Sequence, residues 1–100
     1  MPYYVYILHS EGSDRYYIGH TNDVLRRVEE HNTNPRMTYT HKYRPWQLKT
    51  YYEFESRGDS MKIEKYIQRM KSRKVIERLI SDKEYFNEIA QLVGVPTCRD

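Results

Sequence analysis

One hundred residues that include a single cysteine, four glycines and four prolines leave several classes of protein out of consideration. The lone Cys98 has no partner within the chain, which excludes an intrachain disulfide framework and a cysteine-ligated zinc site. Any bound metal ion must therefore be held by oxygen or imidazole. Four scattered glycines make no phosphate-cradling loop, and His9, His20 and His41 show no paired metal-ligand spacing. No Pro- or Gly-rich linker, internal repeat or low-complexity stretch divides the chain. The longest uncharged apolar run is the hexamer from Tyr3 to Leu8, far short of the ~20 residues that a membrane span needs. Nor does a basic N-terminal segment lead into an apolar stretch of about 7–15 residues, the pattern of a secretory signal. The expectation is a cytoplasmic protein with no membrane partner.

What the chain does have is charge, tyrosine and a modest apolar complement. Hydrophobic residues make up 38% and charged residues 31%, enough for one small core. That core must offset an ordering cost on the order of 100–200 kcal/mol, so the net margin is about 5–15 kcal/mol. Eleven residues are tyrosine, and a phenol can serve as amphipathic packing, as a stacking surface for bases or as a group used in chemistry. The formal net charge of +3 conceals an asymmetry. Residues 1–56 carry seven bases and seven acids, residues 57–80 eight bases and three acids, and residues 81–100 two bases and four acids. The apolar positions of 57–80 look committed to a core, so its positive excess points to a polyanion rather than a membrane.

Tyr3 to Leu8 and Tyr16 to Gly19 are β-branched and aromatic, and Ser10-Glu11-Gly12-Ser13-Asp14 between them has turn chemistry, so the pair reads as a β-hairpin. Thr21-Asn22-Asp23 offers an N-cap to a helix running to about His31, stopped by Asn32-Thr33-Asn34-Pro35. Its inward residues would be Val24, Leu25 and Val28, with Arg26, Glu29 and Glu30 in water. Arg27 and His31, four apart, fall along one edge of the buried stripe. Residues 36–45 read as a polar loop. Trp46 to Phe54 reads as a third strand, with Trp46, Leu48 and Thr50 alternating with Gln47, Lys49 and Tyr51. Ser56 would cap a helix in which Ile63, Tyr66, Ile67 and Met70 recur at i, i+3, i+4 and i+7. Ser72 would cap another through Ile80, and Ser81-Asp82 a last one through about Val93.

Glu64 lies at the border of the core face with Gln68 at i+4 and Ser60 at i−4, so no cation one turn away accounts for it. It can bond a backbone amide or meet Lys71 two turns on, or it can belong to a site. Arg27 and His31 also admit a structural explanation, a solvated Arg and a His favourably placed near a helix C-terminus. Tyr6 and Tyr17 are ordinary strand residues. Together, however, two strand tyrosines, an Arg and a His one helical turn apart and a border carboxylate suit phosphodiester cleavage. That reaction needs an activated water, a cation against the charge developing on phosphorus and a metal ion to assist the leaving oxygen. One carboxylate completed by water and phosphate oxygen suits Mg2+.

At this point the chain resembles the GIY-YIG endonucleases, in particular their small single-domain bacterial members. The second half-motif is literal, Tyr17-Ile18-Gly19; the first is Tyr4-Val5-Tyr6, which keeps the tyrosine and has Tyr4 in place of the glycine. The likeness continues through Thr21-Asn22-Asp23, Arg27, His31-Asn32, Tyr39-Thr40, Arg44-Pro45, Phe54-Glu55-Ser56-Arg57, Glu64 and the stretch from Lys71 to Ile80. Covering about residues 3–80, it implies an α+β fold, a three-stranded antiparallel sheet flanked by helices; the expected division is that domain over residues 1–81 and a C-terminal helical extension over 82–100. It implies that Tyr6 and Tyr17 position or deprotonate the attacking water, that Arg27 steadies the phosphoryl transition state, that His31 orients or relays, and that Glu64 binds one divalent ion, Mg2+ or Mn2+. Which tyrosine acts as base stays open, because a phenol of ordinary pKa ~10 is a poor base at neutral pH. Position 20 is His where some members have Lys, and Ile76 and Leu79 stand at offsets where larger members carry an Asn.

The expected activity is metal-dependent endonucleolytic hydrolysis of nucleic acid, DNA in preference to RNA, with structure-selective or weak sequence preference, as in repair or recombination. Arg57, Lys62, Lys65, Arg69, Lys71, Arg73 and Lys74 are the expected nucleic-acid contacts, in a monomer or weak homodimer. The alternative is a binding module that docks nucleic acid on the same fold without cutting it.

Overall fold

The computed structural model describes residues 2–96, so Cys98 lies outside the described residues. Strands β1 (Tyr3–Ser10), β2 (Arg15–Thr21) and β3 (Gln47–Phe54) form an antiparallel sheet in the order β2-β1-β3. Helices α1 (Val24–Thr33) and α2 (Thr38–Lys42) precede β3, and α3 (Arg57–Met70), α4 (Arg73–Ser81) and α5 (Lys83–Val93) follow it. This is the α+β architecture expected from the sequence. None of the helices among the described residues is long and apolar enough to cross a membrane.

The central strand explains the layering. Val5, Tyr6, Ile7 and Leu8 are all essentially inaccessible to solvent, because β1 is paired on both edges and covered on both faces. Val5 and Ile7 pack with Ile18, Phe54, Ile63 and Ile67 under α3 to α5, whereas Tyr6 and Leu8 pack with Val24 and Trp46 under α1 and α2. Helix starts follow side-chain capping: Asp23, Ser56, Ser72 and Asp82 each accept a hydrogen bond from a backbone N–H two or three residues on. Helix α5 joins the main core. Its Phe86 ring stacks on Tyr52 at 3.8 Å between centroids and meets Phe54 edge-on at 5.7 Å, with Ile89 and Ala90 buried beside it.

Several sequence expectations need correction. Leu25 is 77% exposed, not inward, because the buried edge of α1 runs through Val24 and His31, with Val28 half-buried between them. Met70 is 43% exposed, since the last turn of α3 overruns the core before Lys71 closes it in a left-handed conformation. The loop expected at 36–45 contains α2, whose single turn is too short to show a helical period; Trp46 donates its indole N–H to the Thr40 carbonyl at 2.8 Å and holds it in place. The simple alternation along β3 is broken by a register shift opposite Ile7 and Leu8, which pair with Thr50 and Leu48. Cross-strand partners share a face, so Leu48 joins Leu8 on the α1 side and Thr50 joins Ile7 on the α3 side.

Because Phe86 is 4% exposed and stacked on the sheet, Phe86→Ala is expected to lower unfolding free energy by about 3–5 kcal/mol, read as an earlier urea midpoint. A loss below about 1 kcal/mol would mean that α5 is peripheral to the core.

Candidate active site

The hairpin register places Tyr6 opposite Gly19 and Tyr17 opposite Leu8, which turns both phenols toward the α1 face of the sheet. A Cβ on Gly19 would stand 2.6 Å from the Tyr6 hydroxyl oxygen and 2.8 Å from Cζ. The glycine of Tyr17-Ile18-Gly19 is thus required by the ring lying across it. Tyr6 and His31 are each 1% exposed, and Tyr6 Oη is hydrogen-bonded to His31 Nε2 at 2.8 Å. The Tyr17 ring lies 4.7 Å from His31 and 6.4 Å from Tyr6, centroid to centroid. His31 Nδ1 is buried without a hydrogen-bond partner, so the imidazole's polar contact is with Tyr6 alone. At the position of the missing motif glycine, Tyr4 packs edge-on against Tyr51 of β3 at 5.8 Å.

Arg27, one turn before His31, is half-buried and bonds Glu30 through Nη1 at 3.0 Å. Glu64 comes from the opposite side of the sheet, on α3, and reaches the β2 edge. There it accepts a hydrogen bond from His20 Nδ1 and one from Gln68 Nε2, the latter at 2.9 Å. The Gln68 amide also reaches the Ile18 carbonyl at 3.4 Å, tying α3 to the edge strand. His20 and Gln68 thus account for the carboxylate that lacked a local cation. His20 could have been found from strand parity alone, since it shares its β2 face with Ile18, the face that α3 covers.

Electrostatics sharpen the picture. Burial pushes the Tyr6 phenol well above the usual tyrosine range, with nearby Arg27 opposing and Tyr17 and Glu64 adding to the rise. Tyr17 moves the same way, again through burial, opposed by Arg27 and reinforced by Glu64. Burial, aided by Arg27 and Arg44 and opposed by Glu30, pulls His31 down to about 4. The resting site is therefore a pair of protonated phenols and a neutral imidazole between a guanidinium and a carboxylate.

Among the described residues no three His, Cys, Asp or Glu side chains converge as a metal cage. The one carboxylate present, Glu64, is a hard oxygen donor of the kind a divalent cation takes, its two oxygens bonded to His20 and Gln68 in this structure. Of the seven expected nucleic-acid contacts, Lys71 and Arg73 line a groove of about 790 Å³ beside Tyr17. Arg73 is already engaged by Asp14 at 2.5 Å and Glu77 at 3.0 Å. Arg57, Lys62, Lys65, Arg69 and Lys74 are exposed on α3 and α4 outside that groove. Tyr39, on the unexpected α2, lines it as well.

A family model described as GIY-YIG catalytic domain matches residues 2–77. A UPF0213 protein of Listeria innocua is 38% identical over 69 residues, 69% of this chain and 76% of that protein. Another from Halalkalibacterium halodurans is 34% identical over 83 residues, 83% of this chain and 86% of that protein. The solution NMR structure of a UPF0213 protein from Bacillus halodurans matches with a TM-score of 0.51 at 33% identity, covering 81% of this chain and 84% of that one.

Two consequences can be measured. Gly19→Ala forces the Tyr6 ring off its seat, and is expected to cost about 1–3 kcal/mol of stability together with the ordered Tyr6–His31 contact, seen by denaturation and by the His31 imidazole NMR signals. The second is a pH dependence. An unfolded His binds a proton below about 6.5, whereas folded His31 resists it down to about 4, so between these values the unfolded state holds more protons. The stabilisation from a neutral His31 is fully present above about 6.5 and is lost as pH falls through this window, at about 1.4 kcal/mol per unit. His31→Gln should flatten that part of the stability curve; an unchanged slope would show that His31 is not the group responsible.

Proposed function

Because the chain belongs to the GIY-YIG catalytic-domain family, a nuclease family, we propose that it is a metal-dependent endonuclease that hydrolyses phosphodiester bonds, preferring DNA and selecting structure more than sequence. One arrangement supports this reading above the others: the buried, uncharged Tyr6–His31 pair beside Tyr17, with Arg27 and Glu64 both within electrostatic reach of the two phenols.

Roles follow from the charge states. Tyr6 and Tyr17 keep their protons in the resting site, so their first task is to hold and orient a water against the phosphorus. Neutral His31 can take the Tyr6 proton as Tyr6 takes one from that water, which lets the phenol pass a proton without standing as an isolated phenolate. Arg27 is the cation placed to meet the charge that grows on the phosphoryl oxygens. Glu64 would hold a divalent ion, which when bound would supply positive charge against the leaving oxygen and would offset the carboxylate that helps keep both phenols protonated. Lys71 contributes a phosphate contact from the neighbouring groove.

The test is cleavage of single-stranded, duplex and branched DNA, with matched RNA, in Mg2+ or Mn2+. Glu64→Ala and Arg27→Ala should each lower the rate roughly 100-fold or more while the folded signal persists, and chelation should stop the reaction. Salt-sensitive binding that ignores both chelator and Glu64→Ala, with no cleavage by the parent, would instead identify a binding module.

A further inference from the structure

The groove beside Tyr17 has a wall that the cleavage chemistry does not use. Tyr39 of α2 lines it and also lines a second hollow of about 390 Å³ shared with Thr38, Lys42 and Tyr43. The Tyr39 residue is 48% exposed, and its hydroxyl takes part in no hydrogen bond among the described residues. A tyrosine held purely by packing would bury its ring or bond its hydroxyl; this half-exposed ring instead lines both hollows. It is fixed in place by its neighbours, 6.3 Å from Tyr17 and 5.3 Å from Tyr43 between centroids. Cations surround it: Arg15 sits 4.4 Å over the Tyr43 ring, Lys42 lines the second hollow, and Lys71 lines the first.

We propose that Tyr39 is a stacking platform for an unpaired nucleotide next to the scissile phosphate, so that the groove takes single-stranded nucleic acid or the unpaired arm of a branched one. This rests on the nucleic-acid reading of the neighbouring site. An exposed aromatic face flanked by lysine and arginine is the arrangement that binds single strands, because each base offers a π-face and each linkage a phosphate. In a duplex both faces of a base are already stacked on its neighbours, and no face is left for Tyr39. The platform therefore discriminates by structure and not by base identity, since it offers no hydrogen-bond pattern to a base edge. Arg15 and Lys71, which line the same groove as Tyr39, meet the backbone; Arg73, held by Asp14 and Glu77, contributes less.

Binding in the presence of chelator tests this without requiring cleavage. The probe is an oligonucleotide carrying 2-aminopurine, presented as a single strand and as a blunt duplex, against the parent, Tyr39→Ala, Tyr39→Phe and Tyr39→Trp. Tyr39→Ala is expected to weaken single-strand binding roughly 5- to 100-fold and to remove the stacking quench of the fluorophore, with duplex binding changed less than about 2-fold. Tyr39→Phe and Tyr39→Trp should bind like the parent, which also shows that α2 remains folded. Equal loss on both substrates, or no loss on either, overturns the platform. Tyr39-dependent binding without cleavage would retain the platform and remove the nuclease reading; cleavage with Tyr39-independent binding would do the reverse.

Discussion

The contact between Tyr6, Gly19 and His31 is the constraint on which the rest of the molecule depends. A phenol that is 1% exposed cannot be buried without a partner for its hydroxyl, and His31 supplies it at 2.8 Å. That bond requires α1 to lie across the sheet with its His31 edge inward. The ring itself fits only because the opposite residue of β2 has no Cβ. The polar contact thus ties α1, and Arg27 one turn earlier, to the sheet, and the close approach at Gly19 ties Tyr6 to its place opposite β2.

The same burial that makes the contact stable also sets its chemical character. Desolvation acts on Tyr6 and His31 in opposite directions on the pKa scale, but both shifts favour the uncharged form. The site thus stores no ion pair at its centre. Its charges sit at the margin, Arg27 on α1 and Glu64 on α3. A neutral centre between opposite charges costs little to maintain in the absence of substrate, whereas a buried phenolate–imidazolium pair would carry a desolvation penalty of several kcal/mol per ion.

Much of this arrangement was legible in the sequence, and the parts that were not have identifiable causes. The hairpin, the helix caps at Asp23, Ser56, Ser72 and Asp82, and the third strand follow local rules, and the structure reproduces them. Leu25 and Met70 depart from the periodic expectation because periodicity reports which side of a helix is apolar but not how far the sheet extends beneath it. The shift in β3 at Leu48 and Thr50 depends on pairing with β1, which no single strand encodes. Helix α2 is held by Trp46, which bonds the Thr40 carbonyl, and by Arg44, whose guanidinium bonds His41 as well as the His31 and Asn34 carbonyls, side-chain contacts that a helical period does not report. For the candidate site, the residue types were readable, whereas the approach of Glu64 to His20 across the β2 edge required the packing of α3.

That edge explains how residues from both sides of the sheet come to share one site. In the order β2-β1-β3 the hairpin strand β2 is left unpaired along one side, a position that natural sheets must cover or charge to avoid pairing with another chain. Here α3 and α4 cover it with polar side chains: Gln68 donates to the Ile18 carbonyl, and Arg73 donates to the Asp14 carbonyl at 3.0 Å and to its carboxylate. These side chains meet the edge from one side, Arg73 lying 5.0 Å over the Tyr16 ring, and line the groove beside Tyr17. The device that protects the edge therefore also brings Glu64 and Lys71 to the strand that carries Tyr17. A site built around a sheet edge in this way needs no insertion or added domain to acquire a binding groove, which is how one hundred residues can hold both.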